Sequence, residues 1–276
     1  MEFDIINSIA FFSHLVAIGL SFFVICSFLR FTELQTPGFT IVSLISICDA
    51  AANACYITFP PTGSGSGACY TQAIFISFFL AASVNWSMVI LLTIYATILG
   101  AVGRNTWFLR LCLDRPRIIH AVVWTFSLAQ ALLPLSTNST GYSAGPVCWL
   151  SSDTTWGKFW VYFEYGVVWF VIGVVVLISC RVRYIVFAVV SIVVERNFKE
   201  QHITPRKERD VKDGYAKLLT FYNTLKWYPV ILIVAFAPSA SVRMAQINGY
   251  SENGIVRNGL KLVTSGLLQG ISAISL

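Results

Sequence analysis

Two of the seven cysteines are placed to form a disulfide bond. Cys69 opens a long apolar segment, and Cys148 lies in the loop before a later one. The other five are Cys26, Cys48, Cys55 and Cys180 inside apolar segments, and Cys112 in a basic loop. A thiol inside an apolar segment behaves as a small hydrophobic group, and no Cys-x-x-Cys spacing suggests a metal site. We therefore predict a Cys69–Cys148 bond, no metal and no cofactor.

A carboxylate stands in the middle of the second apolar segment. At bilayer depth the charge of Asp49 costs about 3 kcal/mol or more unless it is paired or hydrated. We expect it to face other helices, with Asn53, Asn85 and Ser87 as partners. It could be a polar switch or a structural hydrogen-bonding group. The candidate switch residues are Asp49, Asn53, Trp86 and Pro229.

Four basic residues lie near the ends of the later apolar segments: Lys158, Arg243, Arg257 and Lys261. Together they could attract an anionic ligand such as a nucleotide, a phosphate or a carboxylate. The alternative is that they reach lipid headgroups. Glu164 could contact the ligand or pair with Arg243. The predicted ligand-binding residues are Arg243, Lys261, Glu164, Lys158 and Trp149.

Composition identifies the elements that must carry these residues. Of the 276 residues, 56% are hydrophobic and 12% are charged, whereas soluble domains have about 25% charged residues. We predict an all-α membrane protein whose single domain, 1–276, is a bundle of seven transmembrane helices. The spans are expected at about 5–29, 39–59, 70–99, 118–135, 159–194, 218–245 and 260–276.

The distribution of charge predicts an outside N-terminus. That orientation leaves four of the 19 Lys and Arg residues outside and 15 inside, as the positive-inside rule expects. The net charge of +6 is then explained by inner loops rather than by a nucleic-acid partner. Cys69 and Cys148 fall on the oxidising outer side. The sequon at Asn138 falls there too, which predicts glycosylation.

Short motifs occur in a fixed order along the chain: Asp49, Cys69-Tyr70, Ala73-Ile74, Trp86, Ile94-Tyr95, Cys148-Trp149, Tyr165-Gly166, Trp169, Arg183-Tyr184 and Trp227-Tyr228-Pro229. This order resembles that of the slime-mould cyclic AMP receptors and their plant and fungal relatives. Arg243 falls at an Arg of the plant members, but Val242 replaces the Asn that precedes it there. The Asp-Arg-Tyr, Cys-Trp-x-Pro and Asn-Pro-x-x-Tyr signatures of the rhodopsin class are absent.

The resemblance implies a G-protein-coupled receptor of the cell membrane, which an extracellular small molecule activates.

After Arg181 and Arg183 the sequence stays apolar to Val194, so we expect the fifth helix to continue past the membrane. This extension needs a partner, which could be the sixth helix, a second copy of the chain or a heterotrimeric G protein. The predicted coupling residues are Tyr95, Arg104, Arg183, Tyr184 and Val190. Membrane lipids are the remaining expected partners.

Single features of the sequence argue against three other functions. Lys261 could form a retinal Schiff base, but it opens its span and segment 70–99 has no carboxylate to serve as counter-ion. A transporter or channel would favour internal repeats, and the two halves of the chain do not match. An enzyme is disfavoured because HExxH is absent, while His14 and His120 are isolated in the sequence.

Overall fold

The computed structural model describes residues 2–58, 67–101, 107–108, 111, 115–142, 148–151 and 154–199. Within this part of the chain, five long helices follow one another. They are α1 (Glu2–Arg30), α2 (Pro37–Thr58), α3 (Gly67–Ala101), α4 (Pro116–Ser136) and α5 (Thr155–Lys199). The predicted spans 218–245 and 260–276 lie outside the described residues, so they stay predictions, as does the outside N-terminus.

All five helices are apolar and long enough to cross a membrane. The fifth is one unbroken helix of 45 residues, or about 68 Å at 1.5 Å per residue. The hydrocarbon layer is only about 30 Å thick, so α5 must extend beyond it. Many large apolar side chains face outward, as expected for a protein whose surrounding solvent is lipid: examples are Phe12, Phe23, Val122, Phe170 and Leu177.

The connection between α1 and α2 is short, and a proline opens two of the helices. A single 3₁₀ turn, Thr32–Leu34, follows α1, and Pro37 opens α2, where its missing N–H has no intrahelical partner to lose. Pro116 opens α4 in the same way. We call the end of the bundle that holds Cys69 the disulfide end, and the other the opposite end.

Helix α3 lies at the centre and packs against α2, α4 and α5. On one side, Trp86 and Ile90 join a cluster with α2 and α4 residues that include Ile45 and Val123. On another, the cluster contains Val84 and Leu91 of α3 with Val171, Ile172, Val175, Ile178 and Val182 of α5. The central helix therefore contacts α2 and α4 through one set of side chains and α5 through another.

A two-stranded antiparallel sheet covers part of the disulfide end. Strands β1 (Thr140–Tyr142) and β2 (Cys148–Leu150) pair with Thr140 opposite Leu150 and Tyr142 opposite Cys148. The predicted all-α class did not include this sheet. Its three-residue strands are too short to show an alternating pattern in sequence, and contacts with α3 hold them in place. We call residues 137–142 and 148–151 the sheet loop.

Candidate functional site

Asp49 lies in a buried polar cluster that joins α1, α2 and α3. Its Oδ1 accepts a hydrogen bond from Ser83 Oγ at 2.7 Å. Asn53, one turn later on α2, donates from Nδ2 to the backbone oxygen of Asp49 at 2.7 Å. Asn53 Oδ1 is then left to accept, so His14 Nδ1, 2.7 Å away, must donate. The His14 ring also stacks on Tyr56, with centroids 4.8 Å apart.

The partners of Asp49 differ in part from those expected. Asn53 is beside it, but Asn85 points to α4, where its Nδ2 donates to Ser127 Oγ at 2.9 Å and Gln130 Oε1 at 3.1 Å. The expected Asp49–Asn85 contact is therefore wrong. Ser83 and Asn85 are two residues apart, and so lie about 200° apart around the helix. The first faces α2 while the second faces α4.

Trp86 lies next to this cluster and is fully buried. Its ring makes edge contacts with His120 and Trp124 of α4, at centroid distances of 4.7 and 6.0 Å. Its Nε1 is also buried, and the described residues offer it no hydrogen-bond acceptor. The two histidines that looked isolated in sequence are therefore both in contact with candidate switch residues, His14 with Asn53 and His120 with Trp86. Pro229 lies outside the described residues.

The predicted Cys69–Cys148 disulfide is present and joins the first turn of α3 to β2, with Cα atoms 5.2 Å apart. Two further contacts attach the sheet loop to α3. Gln72 Oε1 accepts from the Cys148 backbone N–H at 3.1 Å, and Ser77 Oγ accepts from Trp149 Nε1 at 2.9 Å. The Trp149 ring also meets Tyr165 of α5 edge-on, with centroids 6.2 Å apart. This candidate ligand residue therefore bridges α3 and α5.

The start of α5 is fixed to the same loop. Thr154 caps the helix, since its Oγ1 accepts from the Gly157 N–H at 2.9 Å. A side chain at Gly157 would collide with the Ser151 backbone oxygen, so only glycine fits. Trp160 Nε1 donates to Thr137 Oγ1 at 2.9 Å. These contacts hold the first two turns of α5 against the sheet loop.

The remaining ligand candidates are spread unevenly. Glu164 is half-buried, and within the described residues its Oε1 is shielded and has no hydrogen-bond partner. It adjoins Tyr165, which contacts Trp149, whereas Lys158 is exposed. Arg243 and Lys261 lie outside the described residues. Trp149 and Glu164 thus mark a candidate site where the sheet loop meets α5. In the described part of the chain, no three His, Cys, Asp or Glu side chains are grouped to hold a metal.

The coupling candidates lie toward the opposite end. Tyr95 packs against the cluster between α3 and α5, and Arg183 and Tyr184 are exposed on α5. The backbone at Val190 is helical, while Arg104 lies outside the described residues.

Asn138, the predicted glycosylation site, is exposed and has a φ of 51°, a conformation that Asn tolerates better than most residues. The hydroxyl of Thr140, the third residue of its sequon, is buried in the sheet. Glycosylation at Asn138 stays a prediction.

Sequence reasoning missed several residues that the structure places in these contacts, among them His14, Gln72, Ser83 and Trp160. The first three stand inside strongly apolar segments, which is a usable signal, because a polar side chain at bilayer depth needs a partner. The sequence could not supply the partner, since several serines and threonines are available in each neighbouring helix.

The family model for the slime mold cyclic AMP receptor matches residues 1–208. Cyclic AMP receptor-like protein A of Dictyostelium discoideum is 25% identical over 181 residues, which are 65% of this chain and 46% of that protein. G-protein coupled receptor 1 of Arabidopsis thaliana is 25% identical over 225 residues, or 82% of this chain and 63% of that one. The chain thus spans about half to two-thirds of the length of these relatives.

Among solved structures, squid rhodopsin matches with a TM-score of 0.68 over 98% of this chain and 83% of its own. The two sequences are only 15% identical, so this similarity concerns the fold alone.

Proposed function

Because the chain belongs to the slime mold cyclic AMP receptor family, we propose that it is a receptor of the cell membrane that activates a heterotrimeric G protein when it binds a small anionic molecule. One observation carries the proposal. Helix α3 makes three kinds of contact. It is bonded to the sheet loop at the disulfide end, its Ser83 donates to Asp49 of α2, and its apolar side chains pack against α5. A change at one end of such a helix can bias the arrangement of its neighbours.

The proposed ligand site lies at the disulfide end, between the sheet loop and α5. Trp149 would supply an aromatic face, and Glu164 a polar group, beside the exposed charge of Lys158. Arg243 and Lys261 are proposed to complete it and to select an anion. The family name makes cyclic AMP the first molecule to test.

The proposed G-protein site lies at the opposite end, on the inner side of the membrane. The positive-inside distribution and the need of a disulfide for an oxidising compartment support this orientation, with the N-terminus outside. Exposed Arg183 and Tyr184 would form part of the contact with Tyr95, Arg104 and Val190. In the proposed mechanism, Asp49, Asn53, Trp86 and Pro229 change their contacts as the ligand shifts the population toward an inner-open state.

Ligand binding can be tested with the purified chain in lipid nanodiscs by calorimetric titration with cyclic AMP. We expect Arg243→Ala to raise Kd by about tenfold or more, since a desolvated charge-assisted hydrogen bond is worth more than an exposed one. Arg257→Ala, the matched control, should change Kd by less than about threefold. Equal effects of both variants on Kd would indicate that these arginines contact lipid headgroups rather than the ligand. Absence of cyclic AMP binding would exclude this ligand.

Coupling can be tested by nucleotide exchange on a purified heterotrimeric G protein. Tyr184→Ala combined with Val190→Asp should abolish stimulated exchange while ligand binding and expression stay normal, because a buried interface tolerates neither truncation nor an unpaired charge. Leu177→Ala is the control, since Leu177 is similarly exposed on α5 but lies about two turns before Tyr184. Full exchange by the double variant would exclude this part of α5 as the docking surface.

A further inference from the structure

Gln72 connects three elements at the disulfide end. It lies one turn after Cys69 on α3 and is 1% exposed. Its Oε1 accepts from the Cys148 N–H of β2 at 3.1 Å, and its Nε2 donates to the Cys55 carbonyl of α2 at 3.2 Å. One side chain thus contacts the sheet loop and the last turns of α2 while its backbone belongs to α3.

The chemistry of the two partners determines the orientation of the amide. Cys148 N–H can only donate and the Cys55 carbonyl can only accept, so the oxygen of Gln72 must face β2 and its NH₂ must face α2. The reversed amide would oppose two donors on one side and two acceptors on the other. The bond to Cys148 is buried and the bond to Cys55 is partly buried, so at Cys148 a lost partner is not replaced by water. Glutamine is therefore specified here by both of its polar atoms.

The sheet loop consequently has a noncovalent attachment beside its covalent one. The disulfide joins Cys69 to Cys148, while Gln72 and Ser77 bond to the backbone of Cys148 and the indole of Trp149. We propose that Gln72 is the positioning residue that keeps the sheet loop on α3 when the disulfide is opened and that couples the loop to α2, two residues after Asn53. This inference is independent of which ligand binds and of any G protein.

Two variants separate the two parts of the inference. Gln72→Leu removes both bonds. Gln72→Glu keeps an acceptor for the Cys148 N–H and, when ionised, loses the donor to the Cys55 carbonyl. Gln130→Leu is the matched control, because Gln130 is also a buried glutamine but lies on α4, where it accepts a hydrogen bond from Asn85 of α3.

The test is amide hydrogen exchange of the purified chain in lipid nanodiscs, before and after reduction with a phosphine. Each variant then folds with its disulfide intact, and the bond is opened only afterwards. Reduction of the unmodified chain should speed amide exchange at residues 148–150 by less than about tenfold. Reduction of the Gln72→Leu variant should speed it by about 100-fold, because the lost hydrogen bond is worth about a further factor of ten. At a pH high enough to ionise the new carboxyl, Gln72→Glu should leave 148–150 protected and speed exchange at 52–58. Gln130→Leu should match the unmodified chain.

Two results would overturn the proposal. One is full exchange at 148–150 on reduction of the unmodified chain, since the disulfide would then be the whole attachment. The other is unchanged exchange at 52–58 in both Gln72 variants, which would remove the coupling to α2. Binding of cyclic AMP, measured separately, tests the proposed function and leaves both readouts unaffected.

Discussion

The two sides of α3 are built from different chemistry. Toward α2 and α4, buried polar side chains accompany the apolar contacts: Ser83 bonds to Asp49, and Asn85 bonds to Ser127 and Gln130. Toward α5, the buried cluster consists of valine, leucine and isoleucine, including Val84, Leu91 and Ile178. One helix therefore meets its neighbours through directional bonds on one side and through apolar packing on another.

This difference has a consequence that is specific to membranes. Acyl chains are as apolar as leucine, so an apolar helix contact that slides loses little, because lipid replaces the lost neighbours. A hydrogen bond tolerates only small changes of distance and angle. We expect α2, α3 and α4 to behave as one unit, and α5 to be the helix that shifts most easily at the opposite end.

The largest effect should come from removing the side chain at the centre of the fixed unit. Trp86→Ala should lower the free energy of unfolding by about 3–5 kcal/mol, because it leaves a large cavity among α2, α3 and α4. Trp169→Ala is the control, since Trp169 is 43% exposed. Denaturant unfolding in mixed micelles measures both. Similar losses for the two tryptophans would mean that α3 does not have a specifically packed side.

The next largest effect on stability is expected at the start of α5, which is attached to the sheet loop. Gly157→Ala should cost about 1–3 kcal/mol, since the new Cβ meets the Ser151 carbonyl and must displace the sheet loop. Gly166→Ala has open space around it and should be neutral or stabilising by about 0.5–1 kcal/mol. The same unfolding assay compares them. If Gly157→Ala is as stable as Gly166→Ala, the start of α5 is not fixed to the loop.

A smaller effect is expected at the polar contact of the fixed unit. Asp49→Leu should cost about 1–2 kcal/mol, because Ser83 loses its acceptor in a buried site. Asp49→Asn retains an acceptor oxygen and should unfold almost as the original chain does. If Asp49 is a switch, Asp49→Asn will still change basal or ligand-stimulated G-protein exchange. Unchanged exchange would assign Asp49 a structural role only.

The smallest effect on stability should come from the apolar contact, although its effect on motion should be clear. Ile178→Val removes one methylene from the α3–α5 cluster and should cost about 1 kcal/mol. Spin labels on the exposed native thiols of Cys26 and Cys180 report the position of α5 relative to α1. Ile178→Val should broaden their distance distribution, whereas Ile90→Val, the same change in the other cluster, should not. Equal broadening would contradict the distinction between the two sides.

The sequence predicted what depends on composition and on position along the chain. Five apolar segments became helices because a backbone in lipid must satisfy its own hydrogen bonds. Cys69 and Cys148 could be paired because both fall at segment ends on one predicted side. The orientation of a side chain around the helix axis could not be predicted in this way. The interpretation of Asn85 as a partner of Asp49 was wrong because hydropathy does not say which face of a uniformly apolar helix meets which neighbour. The sheet loop was missed because tertiary contacts, rather than local propensity, form it.

The length of α5 has a mechanical consequence. Its first two turns are attached through Gly157 and Trp160, and the helix then continues unbroken to Lys199. A straight rod held at one end is a lever, and its free end moves in proportion to its length. Over about 68 Å, a tilt of only about 5° displaces the far tip by about 6 Å, roughly the pitch of one helical turn. An ångström-scale adjustment beside the sheet loop would therefore reach the opposite end as a displacement of about one helical turn.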